Sequence, residues 1–433
     1  MLATVKQLFN PKNIGLRNKV IFSLAMAALY LVGKTIQVPG TTPIANDGSG
    51  IFGLLNLMSG NALANVSIFA LGVQPYITAS IVVQLLSMDV LPVLTRLSQE
   101  GDVGKKKLSQ ITRYFAIVLA LVQGFSYALL FDKSYGVVED TSAMSYLLII
   151  LTLTAGTAFV LWIGDQITSR GVGNGISVII MVGIVSGFPL MLKDAFNALY
   201  SGGTTQEQAL GFGKFGLFIL LYVLIIVLVV YVQEGVRRVA IQYSNRSASA
   251  YHGGGRNFIP LKINSAGVIP VIFATALLGA PLVITSIASY WVDDVSNIVA
   301  WIEKYLDYQK PYGFSIYIIL IIAFAYFYTF IQVNPETLSE NLQKSGAYVP
   351  GIRPGEETTK HFTKILYRLT FFGSIFLAVI AGLPIIFANF TSMPDSVRLG
   401  GTSLLIVVGV SLEIIRQIEQ QLVGYDYEGY VTK

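Results

Sequence analysis

Gly72-Val73-Gln74-Pro75-Tyr76-Ile77-Thr78-Ala79 is matched later in the chain by Gly267-Val268-Ile269-Pro270-Val271-Ile272-Phe273-Ala274, both fitting G-V-x-P-x-I-x-A. The copies open the second and the seventh of ten apolar stretches along the sequence. Two copies five helices apart run through a membrane in opposite senses, which is the arrangement of an inverted repeat. The competing reading is chance similarity between two apolar helices. In each copy the proline removes a backbone donor near the helix start, where the loss costs least, and the glycine ahead of it permits a bend. Such positions serve either as hinges or as sites of close helix packing.

Composition fixes the solvent around this repeat. Of 433 residues, 54% are hydrophobic and 12% charged, against about 25% charged in soluble proteins. The apolar residues come in runs of about 20, the length that crosses roughly 30 Å of hydrocarbon. Spans are expected near residues 20–38, 73–92, 113–131, 147–163, 176–192, 215–233, 266–288, 313–333, 369–390 and 402–423. The basic start (Lys6, Lys12, Arg17, Lys19) precedes a full-length stretch, so it flanks a retained first helix rather than a signal peptide. Of the 29 Lys and Arg residues, only seven fall on the side opposite the N-terminus: Lys34 towards the end of the first span, and Lys133, Lys193, Lys214, Lys304, Lys310 and Arg398 in loops. The positive-inside rule then makes both termini cytoplasmic in a cell (inner or plasma) membrane. The expected fold is all-α: a polytopic membrane protein with ten transmembrane helices in two inverted five-helix halves around a central pore. The halves are residues 1–200 and 214–433.

The same composition excludes most chemistry. The chain has no cysteine and only two histidines, His252 and His361, so disulfides, thiolate metal sites and multi-histidine cages are ruled out. Both histidines lie in expected cytoplasmic loops, and no aspartate pair falls inside a span, which removes the usual intramembrane proteases. No Walker-type phosphate loop is present. Ion-coupled transporters place ionisable side chains near the midplane, whereas Asp89, Glu413, Arg416 and Glu419 all fall towards cytoplasmic ends. No catalytic residue, metal or cofactor is expected. The interior candidates are aliphatic instead: Val73, Ile77, Ile180, Ile184, Ile272 and Ile406. Such side chains are ordinarily lipid-facing or core, but a collar of them passes an unfolded chain without binding it and resists ions by dewetting.

Three further segments stand out. Residues 51–64, Ile51-Phe52-Gly53-Leu54-Leu55-Asn56-Leu57-Met58-Ser59-Gly60-Asn61-Ala62-Leu63-Ala64, are apolar but too short and glycine-broken to span. They form either an interfacial amphipathic helix or a re-entrant stopper. Two long cytoplasmic loops, 234–265 and 334–368, are basic. The first carries Arg237, Arg238 and Arg246 beside a flexible Ser-Ala-Ser-Ala-Tyr-His-Gly-Gly-Gly tract; the second carries Pro350-Gly351-Ile352-Arg353-Pro354-Gly355, whose prolines and glycines impose a turn presenting Arg353. A preset turn favours partner docking over attraction to a fluid headgroup layer.

Five stretches, in order, resemble the SecY family of translocon channel subunits: Ser67 to Gly72 running into Pro75-Tyr76-Ile77, Arg170 to Gly175, Leu261 to Pro270, Pro350 to Gly355, and Gly400 to Ile406. The resemblance implies an hourglass channel that passes unfolded secretory polypeptides and releases transmembrane segments sideways into lipid. It implies a pore ring at Val73, Ile77, Ile180, Ile184, Ile272 and Ile406. It also implies a plug over about residues 51–64, with Ile51, Phe52, Leu54, Leu55, Leu57, Met58 and Leu63 as its apolar side chains. The family's lateral gate would lie between spans two and three and spans seven and eight, with Thr78, Gln123 and Ala280 at its polar positions; alanine at 280 departs from relatives with a larger or polar residue there. Docking of the SecA motor or the ribosome would fall on Arg353, Arg237, Arg238 and Arg246. The other implied partners are SecE and SecG subunits, signal peptides, unfolded polypeptide and membrane lipid.

Overall fold

The computed structural model describes residues 13–44, 56, 59–88, 90–133, 135–200, 205–243, 257–291, 296–307, 310–391 and 400–431. Ten helices stand where spans were expected: α1 (Ile14–Gly33), α2 (Gln74–Leu86), α4 (Gly101–Lys133), α5 (Ala143–Arg170), α6 (Gly175–Tyr200), α7 (Thr205–Glu234), α8 (Ile269–Trp291), α10 (Pro311–Gln332), α12 (Glu356–Thr391) and α13 (Gly400–Val431). Between them lie α3 (Pro92–Gln99), α9 (Ser296–Tyr305) and α11 (Pro335–Lys344). Among the described residues, seven helices are long and apolar enough to cross a membrane.

The first span sits earlier than hydropathy suggests, because the chain leaves the helix after Gly33 to pair backbone with backbone. Val38 N–H bonds the Val66 carbonyl at 2.9 Å, Ile68 N–H the Ile36 carbonyl at 3.0 Å, and Ile44 N–H the Ala64 carbonyl at 2.9 Å. This backbone-paired turn segment lies against α5, where a Cβ on Gly156 would collide with the Ile68 carbonyl. The second span is shorter than expected. It has 13 helical residues, and the apolar run beyond it turns at Leu91 into the separate helix α3, whose first residue is Pro92.

Both copies of the repeat have the same local build. Gly72 has φ +53° and Gly267 φ +65°, a left-handed conformation that glycine alone adopts without strain. The helix begins two residues later in each case, at Gln74 and Ile269, so Pro75 and Pro270 each occupy the second helical position, where the missing N–H is an orphan anyway. The first turns close alike, Ile77 N–H to Val73 O at 3.0 Å and Ile272 N–H to Val268 O at 3.4 Å.

In the first half α4 packs on α2 and α5, and α5 on α6; in the second, α10 packs on α8 and α12, and α12 on α13. Between the halves, α8 packs against α2 and α4 along one seam, and α7 and α13 pack against α6 along another.

The two long loops contain structure beyond the expected turn. Strands β1 (Val236–Tyr243), β2 (Asn257–Lys262) and β3 (Ala347–Tyr348) form one antiparallel sheet in the order β2-β1-β3. Alternation makes the strand: Val239 and Ile241 point inward while Arg238, Ala240 and Gln242 remain exposed. The inward side chains join Leu261, Leu342, Val349, Phe362 and Ile365 in a small core separate from the main one. The flexible tract expected at residues 247–255 lies outside the described residues.

Candidate functional site

The six interior candidates are aliphatic and come from both halves. Val73 precedes α2, Ile77 lies on α2, Ile180 and Ile184 one turn apart on α6, Ile272 on α8 and Ile406 on α13. All six are buried, from 2% exposed at Ile184 to 8% at Ile272, and all belong to one continuous apolar cluster. That cluster draws on helices of both halves, far apart in sequence. No Asp, Glu, Lys, Arg or His is buried among the described residues, and they hold no group of His, Cys, Asp and Glu able to bind a metal. Among the described residues this interior therefore offers no buried charge to a permeating ion.

On the side of this cluster away from the sheet, the described part of the proposed stopper is a set of tight turns. Asn56 organises them: its Oδ1 accepts from Ala64 N–H at 2.9 Å, and its carbonyl accepts from Asn61 N–H at 2.8 Å and Ser59 Oγ at 2.8 Å. Asn61 and Val66 have φ of +66° and +44°, a costly conformation for a β-branched residue, held here by the surrounding bonds. Leu63 is 1% exposed. Ile51, Phe52, Leu54, Leu55, Leu57 and Met58 lie outside the described residues.

Along the seam of α8 with α2 and α4, Thr78 is half-buried on α2 and its hydroxyl donates to the Gln74 carbonyl at 3.2 Å. Gln123 on α4 is 8% exposed, and its Oε1 has no hydrogen-bond partner among the described residues. Such a group costs about 1–3 kcal/mol. Ala280 on α8 is half-buried and directly precedes Pro281, which stands inside the helix. That proline deletes a helical hydrogen bond at the seam and weakens α8 there; the sequence pattern flagged Pro270 but not this one.

The basic face is built on the sheet. Arg237 and Arg238 are exposed on β1, opposite Leu261 and Pro260 of β2, and Arg238 stacks over Phe258 at 4.7 Å from the ring centre. The turn at 350–355 is clamped on both sides. Thr358 Oγ1 donates to the Arg353 carbonyl at 2.8 Å and Ser339 Oγ to the Gly355 carbonyl at 3.0 Å, while Gly351 and Gly355 supply φ of +81° and +100°. The Arg353 side chain is exposed, and its neighbour Ile352 packs on the same small core that Val239 and Ile241 of β1 enter. Strand and turn thus form one body. Arg246 lies outside the described residues. Beneath the sheet, Arg416 of α13 donates to the Gln233 carbonyl at 3.0 Å and lies 3.8 Å from Glu234. Burial, then Arg416, pushes the Lys262 ammonium below the ordinary lysine range, opposed by Glu413.

A family model described as SecY matches residues 67–415. The chain is 47% identical over 437 residues to a protein translocase subunit SecY of Bacillus subtilis (strain 168), covering 100% of both chains. It is 48% identical over 438 residues to the protein of that name from Staphylococcus carnosus (strain TM300), covering 99% of both. Its fold is similar to that of a solved protein conducting channel, with a TM-score of 0.67 at 17% identity over 95% of this chain and 93% of the other. A Sec61 channel in a canine ribosome-channel complex gives a TM-score of 0.65 at 16% identity, over 95% and 93%.

Proposed function

The chain belongs to the SecY family of protein translocase subunits, and we propose that it passes unfolded polypeptides through its apolar centre and opens sideways along the seam of α8 with α2 and α4. It is a multi-pass membrane protein and the channel subunit of a translocase, with no enzymatic step of its own. The observation that carries the mechanism is the single buried cluster holding Val73, Ile77, Ile180, Ile184, Ile272 and Ile406. Aliphatic side chains give a passing chain no fixed partner, so every sequence is tolerated, and when the chain leaves they close on one another and exclude water.

In this reading residues 51–64 are the plug that seats under the ring on the external side, and the sheet with the 350–355 turn faces the cytoplasm together with both termini. There a SecA-type motor or the ribosome docks on Arg353, Arg237, Arg238 and Arg246. For the ribosome the contacts are to RNA phosphates and so are salt-sensitive. SecE and SecG subunits complete the complex. Signal peptides, and apolar segments bound for the bilayer, part α8 from α2 and α4 beside Thr78, Gln123 and Ala280. Pro281 and the repeat glycines give α8 and α2 the pivots for that motion.

The absence of cysteine makes the test direct. With one cysteine at Ile77 and another midway along a secretory polypeptide arrested during export, a disulfide will form only when both the arrested chain and its motor are present. No disulfide at Ile77, Ile184 or Ile406, with arrest confirmed and both thiols reactive, would exclude a central polypeptide path and favour a small-solute transporter.

A further inference from the structure

The side of the molecule opposite the sheet holds a charged side chain that neither the ring nor the gate uses. Lys34 directly follows α1. Its ammonium donates to the Gly60 carbonyl at 2.5 Å and to Ser186 Oγ on α6 at 2.5 Å. The Ser186 hydroxyl in turn donates to the Gly183 carbonyl at 2.6 Å. Gly60 and Gly183 also touch directly: a Cβ on Gly60 would lie 2.5 Å from the Gly183 carbonyl oxygen, and Gly60 has φ +67°. The four groups close a circuit in which residue 60 is pressed on the backbone of α6 and tied there by one amine. One residue earlier, the Tyr30 hydroxyl of α1 donates to the Ser59 carbonyl at 3.2 Å. Consecutive carbonyls of the turn are thus held by side chains of α1 and of the residue that caps it.

We infer that Lys34 is a latch that holds the plug segment shut by bridging Gly60 to Ser186. It is a positioning residue: it touches no polypeptide and acts through the turn it holds. The inference rests on the plug reading above and adds to it how the seat is released. Gly183 is the residue before Ile184 of the ring, so anything that pushes Ile184 outward moves the backbone on which Gly60 rests and stretches the Ser186 end of the bridge. The ammonium is only half-buried, and water can take over its bonds once the turn shifts. The latch therefore lets go without stranding a charge in an apolar place. The same contact ties opening of the ring to departure of the plug.

The test uses the full complex in membranes with Leu63→Cys as the sole thiol in the chain and a membrane-impermeant maleimide added from the external side. Leu63 is 1% exposed, so labelling reports release. Lys34→Met will raise the labelling rate by roughly tenfold, the effect expected from losing a charge-assisted hydrogen bond, and will raise the resting ion conductance. Ser186→Ala, on the other helix, will shift both in the same direction, and Lys34→Arg will restore both to near the parent value. Unchanged labelling in both Lys34→Met and Ser186→Ala, in complexes that still transport, would overturn the latch. The plug reading is checked separately in the parent: an arrested polypeptide must itself speed labelling of Leu63→Cys. If it does while Lys34→Met is silent, only the latch falls; if it does not, the plug reading falls and the latch with it.

Discussion

Exchange of Arg353 for glutamate will reduce motor- or ribosome-driven transport by at least about thirtyfold, the effect of losing a hot-spot arginine worth 2 kcal/mol or more. The expectation follows from how the residue is held. Its carbonyl is fixed by Thr358, the turn's end by Ser339, and Ile352 is anchored in the small core below. Its side chain is exposed and makes no hydrogen bond or ion pair among the described residues. The backbone of this turn is ordered on folding, so a contact made by Arg353 costs only the ordering of its own side chain. Glutamate keeps the turn intact and reverses the charge, which sets repulsion against any anionic partner. Arg237 and Arg238 sit on an exposed strand of the same body and contribute as neighbours, so their single replacements will cost less. The measurement is partner affinity for reconstituted vesicles across a salt series, alongside transport. Wild-type affinity and transport in the Arg353→Glu protein would remove this face from the mechanism.

Replacement of Gln123 by leucine will hold the seam closed and lower the sideways release of apolar segments by between roughly 5-fold and 150-fold. That range corresponds to the 1–3 kcal/mol cost of a buried polar atom without a partner. In the closed state the Gln123 Oε1 is such an atom. Parting α8 from α4 gives it water or a passing backbone to bond, so the glutamine favours opening; leucine removes the penalty and the relief together. The assay is the hydrophobicity at which a graded test segment switches from translocation to membrane insertion. The threshold should rise in Gln123→Leu and stay unchanged in Gln123→Asn, which keeps the amide. An unaltered threshold in the leucine variant would show that the gate does not part at α4.

Hydropathy made most of the architecture legible, because a run of apolar residues long enough to span a membrane has few alternatives to a helix. It did not reveal that α2 stops at Leu86, since Val90, Leu91 and Val93 keep the run apolar after the helix has ended. The sheet was hidden for a different reason. In Val236-Arg237-Arg238-Val239-Ala240-Ile241 the arginines dominate the loop's character, although the alternation of Val239 and Ile241 with exposed neighbours is a strand signal. The turn at Arg353 was readable because proline and glycine act locally. The six aliphatic residues were named as interior, but their meeting in one cluster depends on contacts between halves, which no local pattern encodes. Lys34 was missed altogether: a lysine ending a span is usually an interfacial anchor, and only the position of Gly60 and Ser186 gives it a task.

The shortness of α2 also bears on the lipid beside it. A 13-residue helix is about 20 Å long, some 10 Å less than the hydrocarbon it stands in. The chain reaches it through the turned segment from Ser59 to Val73, which bonds to residues 36–44 and to the side chains of Tyr30 and Lys34. In the proposed opening, with α8 moved off α2, this short helix faces acyl chains, and a bilayer of ordinary thickness must pinch to meet it. Mismatch of this kind costs fractions of a kcal/mol per Å, enough over several Å to bias a gate. Membrane thickness thereby becomes a control on the exit: short-chain lipids fit the open wall and ease release, while long-chain or sterol-stiffened bilayers press the seam shut.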